Sequence, residues 1–178
     1  PDAAVRRVTQ PCWYHAGALC SWWQAEGDLS FGGLPELQVA TAFGRAPNGR
    51  ILAAVPGLTM GYAPLFGVTF PRSATILFSD DAGQTWSRAD WPDGHAHALA
   101  FAFDPGTGDA IAVGHGGGIW SSEDGGLHWS RRRSSSGVIY VRAWTRGRTV
   151  IVEDQAHALW RSRDRGFSLE TLCDVGRV

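Results

Sequence analysis

The chain has 178 residues, 44% hydrophobic and 19% charged, with a net charge of −1. That balance argues against a disordered polymer and offers no overall electrostatic pull toward nucleic acid or an anionic membrane, so no nucleic-acid partner is expected. All 16 basic residues are arginine, which excludes a Walker A lysine, a Schiff-base lysine and a kinase-type ATP lysine.

Nine Trp and 23 Gly against a single Met point to short strands and tight turns rather than helices. No apolar run approaches the roughly 18 residues of a membrane helix, so the chain is not expected to span a membrane itself. The start, Pro1-Asp2-Ala3, has neither an initiator Met nor an apolar signal core. It suits a chain that begins after a removed targeting segment or at a fragment boundary. An exported, periplasmic or organelle-lumenal compartment is the favoured location. Cys12 and Cys20 flank a stretch that reads as a hairpin. A disulfide across it and two reduced buried thiols are both open readings. There is no CxxC pair, so no thiolate zinc site is expected, and no other metal or cofactor either. Residues 27–33 read as a degenerate glycine-rich turn.

Residues 46–55 read as strand, turn, strand. A long insertion follows at 57–72, rich in Leu, Met, Tyr and Phe. Such a loop is poorly suited to water alone. Met60, Tyr62, Leu65, Phe66, Phe70 and Arg72, with His115, are the candidate partner-binding residues. The alternative is that the loop folds over its own channel mouth.

Next comes Ser79-Asp80-Asp81-Ala82-Gly83-Gln84-Thr85-Trp86, of the form S-x-D-x-G-x-T-W. The pattern returns as Ser122-Glu123-Asp124-Gly125-Gly126-Leu127-His128-Trp129 and, decayed, as Ser162-Arg163-Asp164-Arg165-Gly166-Phe167-Ser168-Leu169. The aspartates lie 43 and then 40 residues apart, and Trp120 and Trp160 each precede the repeat's Ser by two. Between the first two copies, His95, His97, Leu99, Phe101 and Phe103 alternate with alanines, which predicts one strand with a large and a small face. Residues 104–109 make a turn, 110–113 a strand, 114–118 a glycine loop, 119–122 a third strand, and Trp129 begins a fourth. Repeats of about 40 residues with about four short strands each are the signature of propeller blades.

The repeat resembles the Asp-box (BNR) repeat of sialidases, sortilin-type receptors, xyloglucan-cleaving glycosidases and the photosystem II assembly-factor family. The run Ala112-Val113-Gly114-His115-Gly116-Gly117-Gly118-Ile119-Trp120, leading into residues 122–129, is most similar to the photosystem II assembly-factor type. The expected fold is all-β: a β-propeller of about four blades of four antiparallel strands, or a partial propeller with Asp-box turns. One domain over residues 1–178 is expected, with a degenerate or partial blade in 1–36 and blades in 37–90, 91–133 and 134–178. The boxes are read as structural. The aspartate caps backbone N–H groups, the glycine supplies a positive φ, and Trp86 and Trp129 fill the gap to an adjacent sheet.

The resemblance implies a non-catalytic scaffold that binds other protein subunits, as an accessory or assembly factor. The alternative is a glycan-binding or glycoside-hydrolysing module, with Trp22, Trp23 and Trp91 stacking on sugar rings or else packing between sheets. A sialidase is not expected. In its register the substrate-binding arginine falls on Val39 and the Ile-Pro on Ala40 and Thr41, while Phe70-Pro71-Arg72 lies on the wrong side of the strand pair. No convergent arginine cluster is expected. Glu153, Asp154 and Glu36 are candidate paired carboxylates, with solvated loop residues as the simpler reading. His115-Gly116-Gly117-Gly118 matches the lipase oxyanion string, but no G-x-S-x-G elbow accompanies it. His95 and His97 could present two metal ligands on one strand face, but without a third ligand they are read as partly buried histidines near the propeller channel, and Arg131-Arg132-Arg133 as an exposed fourth strand.

Overall fold

The computed structural model describes residues 5–11, 19–25, 40–56, 74–94 and 96–173, the first two segments as backbone. Cys12, Glu36, His95 and the whole loop with Met60, Tyr62, Leu65, Phe66, Phe70 and Arg72 lie outside the described residues. Strands β1 (Val5–Pro11) and β2 (Leu19–Ala25) form an antiparallel hairpin in which Val5 stands opposite Ala25 and Gln10 opposite Cys20.

Three four-stranded antiparallel sheets follow. The first contains β3 (Ala42–Arg45), β4 (Ile51–Val55), β5 (Thr75–Ser79) and β6 (Ser87–Arg88), side by side in chain order. The second contains β7 (Ala98–Phe103), β8 (Ala110–Gly114), β9 (Ile119–Ser122) and β10 (Ser130–Arg133), again in order. The third contains β11 (Tyr140–Arg146), β12 (Thr149–Asp154), β13 (Leu159–Ser162) and β14 (Glu170–Cys173). Every connection within a sheet joins neighbouring antiparallel strands.

The sequence of β4, Ile-Leu-Ala-Ala-Val, and of β8, Ala-Ile-Ala-Val-Gly, is apolar at successive positions. A strand buried on one face alone would alternate; these are buried on both. Leu52, Ala54 and Ile76 of the first sheet meet Ala110, Ala112, Trp120 and Trp129 of the second in one core cluster. Ile111, Val113 and Ile119 point the other way, into a cluster with Tyr140, Val150 and Val152 of the third sheet. The second sheet is thus the filling between two others. Leu52, Ile76, Val113, Ile119 and Trp120 are among the largest fully buried side chains. Burying each aliphatic one contributes about 1.5–3 kcal/mol.

The alternation predicted from His95 is corrected at its start. Strand β7 begins at Ala98, and its register with β8 shifts between Ala98 and Ala100. The bulge reverses the side-chain parity. Ala98 therefore joins Phe101 and Phe103 on the face toward the first sheet, while Ala100 and Ala102 face the third. The first strands come close: a Cβ on Gly44 of β3 would stand 2.8 Å from the Phe103 ring and 2.9 Å from Phe101 Cβ.

Candidate functional site

The three turns between third and fourth strands share one hydrogen-bond scheme. In the first, Ser79 Oγ donates to Asp81 Oδ1 at 2.7 Å and accepts from Gly83 N at 2.8 Å. Asp81 also takes the Thr85 N–H at 2.8 Å and the Thr85 hydroxyl at 2.5 Å. In the second, Ser122 and Asp124 repeat the 2.7 Å bond, Gly126 N reaches Ser122 Oγ at 2.8 Å, and His128 Nδ1 lies 2.6 Å from Asp124 Oδ2. In the third, Ser162, Asp164, Gly166 and Ser168 make the same set at 2.6–2.9 Å, although Leu169 stands where the others have Trp. Trp86 and Trp129 each donate their indole N–H to the turn glycine's carbonyl, at 3.0 and 2.9 Å. The glycines have φ of 90°, 98° and 96°. That left-handed region disfavours a side chain.

These bonds set the acidity of the turn aspartates. The Thr85 hydroxyl, then the Thr85 N–H and Ser79, hold Asp81 down at about 2. For Asp124 burial pushes upward, but the bonds from Ser122, His128 and Leu127 outweigh it and bring it to about 2. Asp164 is lowered by Ser168 and Ser162 in the same way. A carboxylate kept ionised by donors that hold its own backbone is unsuited to pass protons.

The other acids are similarly engaged. Glu153 and Asp154 are each 7% exposed. Glu153 binds Arg142 at 2.9 Å and His157 at 2.7 Å. Asp154 accepts the Trp160 indole N–H at 2.9 Å and the N–H groups of Ala156 and Ala158. The structure therefore gives these candidate carboxylates a structural task. Of its two readings, Trp91 takes packing between sheets. Its ring centroid lies 4.6 Å from Trp120 and 5.8 Å from Trp129, and its N–H reaches Asp93 O at 2.7 Å. Trp22 and Trp23 lie in β2, described as backbone.

The triple arginine does not form an open basic stripe. Arg131 is exposed and pairs with Asp93 at 3.0 Å. Arg132 donates to Ser121 Oγ at 2.5 Å and covers the Phe167 ring at 4.8 Å. Arg132, Arg148 and Arg165 line a groove of about 380 Å3 with Glu123, Asp164 and Phe167. They come from three separate segments, so no local motif announces them. Arg165 is already paired, with Glu123 at 2.6 Å and Asp109 at 3.2 Å.

Of the candidate partner-binding residues, His115 alone is described. It opens a 3-10 turn, His115–Gly117, and is exposed. Its ring lies 4.3 Å from that of His97, centroid to centroid. Burial, then the nearness of His115, pushes His97 down to about 4, and the partial desolvation of the otherwise exposed His115 ring lowers it as well. Among the described residues no group of three or more His, Cys, Asp and Glu could hold a metal ion. No helix among them is long and apolar enough to cross a membrane.

No protein-family model matches the sequence, and no curated protein matches it. Solved structures do. The chain is similar to YCF48 from Cyanidioschyzon merolae, with a TM-score of 0.57 and 17% identity over 78% of this chain and 38% of that one. It is similar to the GH74 xyloglucanase from Xanthomonas campestris, with a TM-score of 0.55 and 20% identity over 88% of this chain and 27% of that one. The fold is a partial β-propeller. Its three described four-stranded sheets do not close a ring. A third structure, YCF48 bound to a D1 peptide, aligns with a TM-score of 0.50 and 18% identity, over 68% of this chain and 37% of that one. The propeller segment thus spans well under half the length of each of these structures.

Proposed function

We propose that the chain is a non-catalytic propeller scaffold that mediates protein–protein interaction, as an accessory or assembly subunit of a larger complex. The observation that carries this reading is the engagement of the acids. Asp81, Asp124, Asp164, Glu153 and Asp154 all bind backbone N–H groups, cations or indoles in ways that serve the fold. YCF48 has been solved with a D1 peptide bound, which supports a peptide-binding use of this kind of sheet array. The turns are Asp boxes in this reading, and residues 1–36, 37–90, 91–133 and 134–178 are successive blades of one domain. The contact residues in this reading are Met60, Tyr62, Leu65, Phe66, Phe70, Arg72 and His115.

A second reading, a glycan-binding or glycoside-hydrolysing module, is supported by the likeness to the xyloglucanase and by Trp144, which is 48% exposed. Removal of residues 58–70 tests the leading reading. Affinity purification of the tagged chain should lose its co-purifying proteins, while the circular dichroism spectrum keeps its β-sheet form. Unchanged association after the deletion overturns the loop's role. Hits on a glycan array, with no stable protein partner, favour the second reading.

A further inference from the structure

We propose that His97 and His115 together form a two-imidazole site for a divalent transition metal of the Cu2+, Ni2+ or Zn2+ class. Along the sequence the obvious pair is His95 and His97, two residues apart on one expected strand. The fold instead pairs His97 with a histidine from the next strand's end. Ala98 of β7 stands opposite Gly114 of β8, which places the residues flanking that pair side by side. The His115 N–H donates to the His97 carbonyl at 3.4 Å, and the two rings face each other at 4.3 Å with a 41° tilt. Among the described residues no side-chain hydrogen bond or ion pair engages either imidazole, and His115 is exposed.

The turn that carries His115 is held from several sides. Gly117 N donates to Val138 O at 2.6 Å, Ser135 N to Gly116 O at 2.9 Å, and Gly118 N to His115 O at 3.3 Å. Gly114 is packed so tightly against the His97 carbonyl that it has no room for a Cβ. Both ligands therefore sit on a braced backbone, the condition for a preorganised site. Imidazole nitrogen suits copper, nickel and zinc, whereas Mg2+ and Ca2+ need oxygen donors. Two protein ligands leave the remaining coordination positions to water or to a donor brought by a bound molecule. His128 and His157 differ in kind, since each commits Nδ1 to its own acid, Asp124 or Glu153. This site is independent of the interaction reading above.

The test is isothermal titration of the full chain with Cu2+ and with Ni2+ near neutral pH, joined to Cu2+ electron paramagnetic resonance. The wild-type chain should bind one ion with two nitrogen ligands. His115→Gln should weaken binding about tenfold or more and leave a one-nitrogen signature. His97→Gln should do the same, while His128→Gln changes nothing. His115 is exposed, so its variant keeps the test valid even where the more buried His97 variant folds poorly. The assignment is overturned by equal binding in wild type and His115→Gln, by loss of binding in His95→Gln alone, or by no binding at all.

Discussion

The first and second turns share one local design and differ in what lies behind them. Each has the same serine, aspartate and glycine bonds, and each tryptophan caps its own turn glycine. Around the second turn, Leu52 of the preceding sheet fills the space beside Gly126, where a Cβ would stand 2.5 Å from it. Arg50 adds a clamp. It holds Asp80 at 2.7 Å on its own sheet and the Asp124 carbonyl at 3.0 Å on the next. The third turn repeats the fit, with Ile119 Cγ2 2.6 Å from a Cβ on Gly166. At Gly83 the nearest atom among the described residues belongs to Trp86, 3.7 Å away. Trp129 is 5% exposed in the core between two sheets, whereas Trp86 is half-buried against its own sheet. Among the described residues the repeat is thus a local folding unit that also serves as an inter-sheet joint at its second and third copies.

The largest expected contrast is between the two tryptophans. Trp129→Ala should cost about 3–5 kcal/mol of unfolding free energy. Trp86→Ala should cost less, about 1–3 kcal/mol, because part of that ring already faces water. Denaturant titration of both variants measures the gap, and equal losses would break the comparison. The glycines come next. Gly126→Ala combines a left-handed backbone with a collision against Leu52, for a loss of roughly 3 kcal/mol or more. Gly83→Ala meets no collision among the described residues and should cost about 1–2 kcal/mol through the backbone. Here the double variant with Leu52→Ala sharpens the test, since it should relieve the Gly126→Ala collision and leave Gly83→Ala unaffected.

Acid should treat the two turns alike. Asp81 and Asp124 are both lowered to about 2 from an ordinary 3.8. A folded-state value below the unfolded one contributes stability above pH 3.8 that is lost as pH falls through about 2. Asp81→Asn and Asp124→Asn should each flatten the acid limb of the stability curve, and a loss confined to one turn would show that packing governs it. The smallest effect belongs to His128, which replaces Thr85 in the second turn. Its hydrogen bond to Asp124, and then the charge of Asp124, raises it above 6.5. The sign is opposite: stability present below pH 6.5 is lost as pH rises through the folded value. An NMR titration should place His128 above 6.5, and Asp124→Asn should return it toward that ordinary value.

Much of the fold is legible in the residues because the repeat is short-range. The serine, aspartate and glycine of each turn bond within four residues of one another. Even the third copy, with Leu169 for Trp, keeps the bonds, because the tryptophan contributes to packing and not to the aspartate's cage. Trp91 shows what the local pattern lacks. A lone aromatic between two strands has no period to assign its face, and it packs between Trp120 and Trp129. The bulge at Ala98–Ala100 was equally hidden, since alternating large and small residues predict an unbroken strand.

The all-β character and the four-stranded antiparallel sheets are legible in the sequence alone, since each rests on patterns within one repeat. Tertiary structure alone decided which side chains meet across repeats. The groove of Arg132, Arg148 and Arg165, the seat of Leu52 beside Gly126, and the facing rings of His97 and His115 all depend on strand register or sheet-to-sheet approach. A one-residue slip in register sends a side chain to the opposite face, and no local pattern around these residues encodes that register.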